Sequence, residues 1–385
     1  MEEKKKFVML GSAHPLRGGL ASYNERLTRE FQKLGWDSRI YTFSLQYPGF
    51  LFPGTSQYST EPKPADLNIF VKVNSINPLN WIRVGREIKK LKPDILIVKF
   101  WLPFMGPCLG TICRIVRKNK FTKVIAITDN VFPHEKRPGD NLLIKYFLNS
   151  VDGFITMSEK VLADLQSFAL NKPEKYVPHP LFDNFGEKVE EKEAREILHL
   201  NPSDKIILFF GFIRKYKGLD ILLQAMTNPA IRNSGIKLLV AGEFYDDPKP
   251  YLEIIEKENL SESVILKTDF IQDSEVKYYL SAANCVVQPY IHATQSGVTP
   301  LAYHFEKPMI VTNVGGLPAL VPDGKVGLVA EPDPSAIAQS ILRFFELGED
   351  YFIPHLQKEK EKYSWNNIVQ AAQEIARESR ASHNN

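Results

Sequence analysis

At 385 residues the chain is too long for one ordinary core, and two domains of roughly 180 residues each are the natural expectation. Its composition, 44% apolar and 24% charged with a net charge of +3, is that of a soluble globular protein. Three cysteines, Cys108, Cys113 and Cys285, fit no disulfide framework and no zinc spacing; all lie in apolar surroundings and read as buried free thiols, which favours a reducing cytoplasm.

In chain order, MEEKKK runs straight into the strand-like Phe7–Leu10, which reads as a start without a signal peptide. The stretch GSAHPLRGGLASYNERL, Gly11 to Leu27, follows. Gly18 and Gly19 stand directly before a helical pattern, Ser22–Leu34, that ends at Gly35 as a C-cap. Two glycines at such a turn let the backbone approach a ligand, and the helix start favours an anion; a plain tight turn accounts for them equally well. The dinucleotide fingerprint GxGxxG is absent, so an oxidoreductase loses its main support.

Further strands are expected at Ser38–Phe43, Ile95–Lys99, Val124–Thr128 and Gly153–Met157. The most apolar window, Ile95 to Cys113, contains Lys99, Pro103 and Pro107, and DILIVKFW reads as a strand entering a loop rather than as a membrane span. From Trp81 to Ser150 there are fourteen Lys/Arg against five Asp/Glu, most densely in RIVRKNKFTK. A solvated helix end and attraction to an anionic membrane surface both fit this basic 81–150 region. Nucleic acid is not expected as a partner, because no aromatic-interleaved basic motif accompanies the charge.

Around residues 171 to 203 the pattern loosens into Pro-rich, charged sequence, placing a domain boundary near Pro180. A fresh strand-helix series then begins at Lys205–Phe210 and continues at Lys237–Ala241, Val264–Lys267, Cys285–Gln288, Met309–Thr312 and Gly327–Ala330. Such alternation argues for two doubly wound parallel-sheet domains, 1–180 and 181–365, with 366–385 returning to complete the first. Ligands of open α/β sheets sit beyond the carboxyl ends of the strands, so two such domains facing each other would hold a site in the cleft between them.

The second domain carries the sharper chemistry. FFGFIRKYKG follows a strand and enters a helix, with Gly211 and Gly218 bracketing Arg214 and Lys217. A guanidinium fork and an ammonium point charge there suit a diphosphate. The next strand ends in Ala241-Gly242-Glu243, and Asp269-Phe270-Ile271 follows the one after, a seat for a base or ribose. Between Tyr290 and Met309 the turn Thr294-Gln295-Ser296-Gly297-Val298 offers hydroxyls and backbone N–H groups but no carboxylate. It reads either as a phosphate clamp or as a satisfied helix cap.

The order and spacing of GGLASYN, NVFPHE, FITMSEK, GFIRKYKG, AGE, QPYIHATQSG and KPMIVTNVGGLPALV resemble the family 4 retaining glycosyltransferases of the GT-B fold, over almost the whole chain. The resemblance implies a C-terminal domain that holds a nucleotide-diphosphate sugar and an N-terminal domain that holds the acceptor. It also implies that Arg, Lys and helix N-termini neutralise the diphosphate without metal or cofactor. Two departures stand out. Many members carry two glutamates with seven residues between them at the second-domain turn, where this chain has Ala293 and Leu301. Related enzymes also place a sugar-contacting His just before NVFPHE, where this chain has Asp129, with His134 and Glu135 close by. Lys99, Phe100 and Trp101 resemble the acceptor-side loop, Trp101 serving either to stack on a sugar or lipid head or as a core residue. His179 at the linker reads as packing or hinge, and Trp365 as the start of the last helix.

The implied activity is transfer of a sugar from a nucleotide-diphosphate donor to a glycan or lipid-linked acceptor, with retention, in cell-surface polysaccharide or glycolipid synthesis. The location is cytoplasmic, with peripheral contact at the inner membrane face through the basic region. Asp129, Arg214 and Lys217 are the expected catalytic residues. Gly18, Gly19, Gly211, Glu243, Phe270, Ile271 and Thr294 to Val298 are the donor contacts, and Lys99, Trp101 and His134 face the acceptor. The missing glutamates keep two rivals open: a nucleotide-sugar-binding protein without turnover, and a nucleotide-sugar epimerase or hydrolase on the same scaffold.

Overall fold

The computed structural model describes residues 4–49, 56–133, 137–293 and 296–381. The chain divides into two compact units, one formed by residues 1–180 with 364–385 and the other by residues 181–363.

The first unit is built on seven parallel strands: β1 (Lys6–Leu10), β2 (Asp37–Leu45), β3 (Ile69–Asn74), β4 (Ile95–Phe100), β5 (Lys123–Thr128), β6 (Gly153–Thr156) and β7 (Glu174–Tyr176). Their spatial order is β3-β2-β1-β4-β5-β6-β7. The central strands β4 (ILIVKF) and β5 (KVIAIT) are buried along their full length, mostly apolar as strands covered on both faces are, with Lys99, Lys123 and Thr128 buried at or near their ends. Helices supply the cover. Gly19–Lys33 starts one turn earlier than the sequence suggests and stops before Gly35, whose φ of +81° a glycine adopts without strain. Pro78–Leu91 is opened by Asn77, whose side chain accepts from the Asn80 N–H, with proline in the first turn. The last helix, Trp365–Ala381, packs into this unit: Lys123 Nζ donates to the Ser379 carbonyl at 3.0 Å, and a Cβ on Gly153 would lie 2.3 Å from Ile375.

Two strands of this sheet escape the sequence reading, β3 and β7, which are its two edges. β7 is the three residues Glu-Lys-Tyr, none of them buried, and it exists because its backbone pairs with β6. The second unit has six parallel strands: β8 (Lys205–Phe210), β9 (Ile236–Ala241), β10 (Val264–Lys267), β11 (Cys285–Gln288), β12 (Met309–Thr312) and β13 (Gly327–Ala330). They lie in the order β10-β9-β8-β11-β12-β13, and all six fall where the apolar runs place them, to within a residue. All three cysteines are buried free thiols, and burial raises each thiol pKa. No described helix is long and apolar enough to cross a membrane.

Candidate functional site

In a doubly wound sheet the chain runs outward on one side of its first strand, then returns to build the other side. The loops beyond the carboxyl ends at that reversal diverge and leave a crevice. The reversal falls between β1 and β4 in the first unit and between β8 and β11 in the second.

At the first reversal, β4 delivers Lys99 and the end of β5 delivers Asp129, whose N–H bonds the Phe100 carbonyl at 2.9 Å. Lys99 Nζ lies 3.2 Å from Asp129 Oδ1, with the Lys99 side chain 2% exposed. The same ammonium sits 3.2 Å from the centroid of the Tyr23 ring, a cation–π contact in a desolvated setting. Burial pushes the Lys99 pKa down and the Asp129 pKa up, and each partner draws the other part of the way back. His179 closes the group, 5.2 Å from Tyr23 edge to face. Burial, reinforced by the Lys99 charge, drops its pKa to about 3, so its imidazole is neutral. Tyr23 Oη and Asn24 Oδ1 are buried without a hydrogen-bond partner among the described residues.

At the second reversal the loop after β8 carries both expected cations. Lys217, 8% exposed, is nearly closed off from water, and its Nζ lies 3.2 Å from where a Cβ on Gly211 would stand. Among the described residues no carboxylate pairs with Lys217 or with Arg214; their nearest recorded partners are the rings of Tyr290 and Tyr245, at 5.7 and 5.0 Å. Burial, then the neighbouring Arg214 charge, pushes the Lys217 pKa down to about 7. An uncompensated cation in so dry a place is costly unless an anion joins it.

Glycines hold the loops together. Gly218 has φ +68°, and a Cβ there would stand 1.9 Å from the Pro289 carbonyl oxygen. Gly315, in the TNVGGLPALV segment, has φ +54° and would clash at 1.8 Å with the Ala293 carbonyl. The loops after β8, β11 and β12 thus touch backbone to backbone.

Of the other expected donor contacts, Gly211 lies against Lys217 and its carbonyl crowds Gly242. Glu243 is buried and its carbonyl accepts from Ile213 N at 2.8 Å. Phe270 joins Phe212 and Tyr245 in an aromatic layer, Phe212 stacked on Tyr245 at 4.1 Å and 6.2 Å from Phe270, with Ile271 buried beside them in sequence. Thr294 and Gln295 lie outside the described residues, as does His134. Ser296 Oγ accepts the Val298 N–H at 3.1 Å and lies 3.1 Å from Tyr290 Oη, so the turn at Gly297 caps its own short helix, Val298–His304. Leu301 is buried in that helix, 4% exposed.

In the first unit Gly18 caps the helix Gly19–Lys33, its carbonyl accepting from Ala21 and Ser22. Trp101 is partly buried: its indole N–H donates to Tyr47 Oη at 2.6 Å and its ring meets Phe43 edge to face. The Trp365 ring centroid lies 4.9 Å from that of Tyr23, and the Arg26 guanidinium lies over the Trp365 ring at 5.0 Å. Sequence reasoning missed Tyr23, Tyr290 and Gln288. Gln288 ends β11, accepts from Thr299 Oγ1 at 3.1 Å, and has no partner for its buried Nε2 among the described residues. A polar residue closing an otherwise apolar strand, CVVQ, was the available signal.

Two doubly wound parallel-sheet units in series, each with polar groups gathered at its reversal, are the architecture of GT-B glycosyltransferases. Solved structures agree in fold: sucrose-phosphate synthase from Thermosynechococcus elongatus has a TM-score of 0.73 at 17% identity, over 98% of this chain and 100% of that one. The Anabaena HepE protein in complex with UDP-glucose has a TM-score of 0.68 at 13% identity, over 97% and 99%. Two family models then name the parts: Glycosyltransferase Family 4 matches residues 17–179 and Glycosyl transferases group 1 matches residues 204–346. The chain therefore carries a family 4 and a group 1 glycosyltransferase domain on the GT-B fold. Among characterised relatives, D-inositol 3-phosphate glycosyltransferase of Corynebacterium urealyticum is 28% identical over 202 residues, 50% of this chain and 47% of that one. Lipopolysaccharide 1,2-N-acetylglucosaminetransferase of Salmonella typhimurium is 28% identical over 194 residues, 48% and 51%. The matched region spans about half the length of these curated relatives.

Proposed function

We propose that the protein is a retaining glycosyltransferase that moves a sugar from a nucleotide-diphosphate donor to a hydroxyl of a glycan or lipid-linked acceptor. The observation that carries this reading is Lys217: a buried ammonium beside Arg214, without a carboxylate partner among the described residues, at the reversal of the second sheet. A diphosphate is the counter-charge such a pair lacks. The aromatic layer of Phe212, Tyr245 and Phe270 near the same loops gives a nucleobase a flat surface. In the first unit Asp129 would accept a hydrogen bond from a sugar hydroxyl, and the acceptor would lie on the side of Lys99 and Trp101.

In the transfer step the bond between the sugar's anomeric carbon and the diphosphate oxygen breaks and negative charge collects on the diphosphate, while the acceptor hydroxyl oxygen bonds to the anomeric carbon and its proton passes to the departing diphosphate. Arg214 and Lys217, already in place, stabilise that charge, and no metal is asked to do so. A second reading, nucleotide-sugar binding without turnover, draws on Leu301, which is buried where the resemblance expects a carboxylate.

A thermal-shift panel of nucleoside diphosphates and nucleotide sugars, with chelator present, tests the reading on wild type and on Arg214→Ala with Lys217→Ala. A bound nucleotide at a hundred times its Kd stabilises by about 2.7 kcal/mol. A shift selective for one base and abolished in the variant supports the donor site; no shift with any nucleotide removes it. Product analysis with and without added acceptor then separates transfer from hydrolysis, epimerisation or bare binding.

A further inference from the structure

Away from both reversals, the first unit has a pocket of about 440 Å³ lined by Ser44, Val71, Lys72, Asn74, Asn77, Asn80, Arg83 and Glu87. It opens at the carboxyl ends of β2 and β3, on the same edge of the sheet as Lys99 and Asp129. Three strand spacings, on the order of 14 Å, separate β3 from β4.

What matters is which polar atoms remain available. Asn74 Oδ1 accepts the Ile76 N–H at 3.1 Å, and Asn77 Oδ1 accepts the Asn80 N–H at 3.2 Å. Those bonds fix the orientation of both amides and leave their NH₂ groups as donors without acceptors among the described residues. Asn80 is spent on the fold, its oxygen on Asn74 N and its nitrogen on the Lys72 carbonyl. Glu87 is neutralised by Lys72 at 2.6 Å and also accepts from Tyr41 Oη at 2.8 Å. Burial works against the Glu87 charge, but the bonds from Lys72 and Tyr41 and the charges of Lys72 and Arg83 outweigh it and hold its pKa low. Arg83 makes no ion pair or hydrogen bond among the described residues. The pocket therefore carries one surplus positive charge and an excess of donors.

We propose that this pocket binds an anionic group, a phosphate or carboxylate, borne by the acceptor at a distance from its reacting hydroxyl. The inference rests on the transferase reading for the word acceptor, and on the pocket alone for the anion. Arg83 offers a planar fork to two oxygens, and Asn74 and Asn77 add neutral donors on the adjoining wall. The same anionic oxygens could be those of a sugar phosphate, a uronic acid or free phosphate, and the experiment separates them.

Isothermal titration at low ionic strength is run with glucose 6-phosphate, methyl glucuronide, neutral methyl glucoside and inorganic phosphate. The background is full-length protein carrying Arg214→Ala and Lys217→Ala, so that the donor-side cations cannot report. Two further variants are compared. Arg83→Ala removes the exposed guanidinium, and Asn77→Asp keeps the oxygen that caps the helix while exchanging the donor NH₂ for a negative oxygen. The expected result is binding of one or both anionic sugars, at least tenfold weaker in Arg83→Ala and lost in Asn77→Asp, with no binding of methyl glucoside. Equal binding in all variants, or no binding of either anionic sugar, overturns the proposal. Inorganic phosphate binding as tightly as the sugars overturns the acceptor role. Failure of the transferase reading would show separately, as wild type that binds no nucleotide sugar or transfers no sugar to any acceptor, without touching these titrations.

Discussion

Lys99 and Asp129 form a buried ion pair at 3.2 Å, and the pair answers a difficulty raised by the sequence. An aspartate where the resemblance implies a histidine would put a bare negative charge in a buried place. Lys99, from the neighbouring strand, cancels that charge and leaves the carboxylate oxygens able to accept hydrogen bonds. Removing one partner strands the other in a site almost without water. Lys99→Met is expected to cost about 3–5 kcal/mol of unfolding free energy, whereas Lys99→Met with Asp129→Asn should recover much of it. Urea unfolding of the two singles and the double measures the coupling; additive losses would show that the two charges do not depend on each other.

Donor binding should depend on pH through Lys217. Its pKa in the free protein is depressed to about 7, by burial first and by Arg214 second. A diphosphate favours the charged ammonium, so it binds the protonated form and raises that pKa. Affinity for a nucleotide sugar, whose own phosphates do not titrate in this range, should be flat below about pH 7. Above it, affinity falls by up to tenfold per pH unit until the raised pKa of the complex is reached. Titrations between pH 6 and 9 follow it, and Lys217→Arg should flatten the profile because a guanidinium stays charged.

Gly218 and Gly315 test whether loop contact builds the site. Both have positive φ, and an added Cβ would stand within 2 Å of a carbonyl oxygen, of Pro289 and Ala293 respectively. Gly324 has the same kind of φ, +68°, but nothing within 4 Å of the added atom. Gly324→Ala should therefore cost only the left-handed backbone strain, about 1–2 kcal/mol, and spare nucleotide affinity. Gly218→Ala and Gly315→Ala should cost more and weaken nucleotide binding at least tenfold, as calorimetry on the folded fraction would report.

How much of this could be read from the residues differs by element. The strands β4, β5 and β8 are legible because their central residues are apolar in succession, as in a parallel strand covered on both faces, with polar residues such as Lys99, Lys123, Thr128 and Lys205 only at or near the strand ends. β7 has no apolar signal, since it is held by backbone pairing alone at the sheet edge. Arg214 and Lys217 are legible because a βα loop after a strong strand can be placed from local sequence. The Lys99–Asp129–Tyr23 group is not, as its members come from two strands and a helix, Asp129 lying 106 positions after Tyr23 in the sequence. The turn at 296–298 is ambiguous in composition, a phosphate clamp or a satisfied helix cap. Its polar composition allows free donors, but Ser296 takes the Val298 N–H for itself. Whether a hydroxyl serves a ligand or its own turn is a matter of geometry that composition does not carry.

The same lysine that would bind the donor should weaken the empty protein. Lys217 titrates near 7 in the folded chain, against an ordinary value of 10.5. Between those values the unfolded chain holds more protons than the folded one, so stability rises with pH across the window and is lowest below about 7. Lys217→Met fills the space without the buried charge and should raise stability at pH 6 by ~1–2 kcal/mol, while abolishing any nucleotide-dependent shift. At pH 10 the gain should shrink, because the wild-type amine is then neutral when folded. Denaturant unfolding at both pH values measures this. A variant less stable than wild type at pH 6 would mean that Lys217 finds its compensation within the protein, and the case for a missing diphosphate would fall with it.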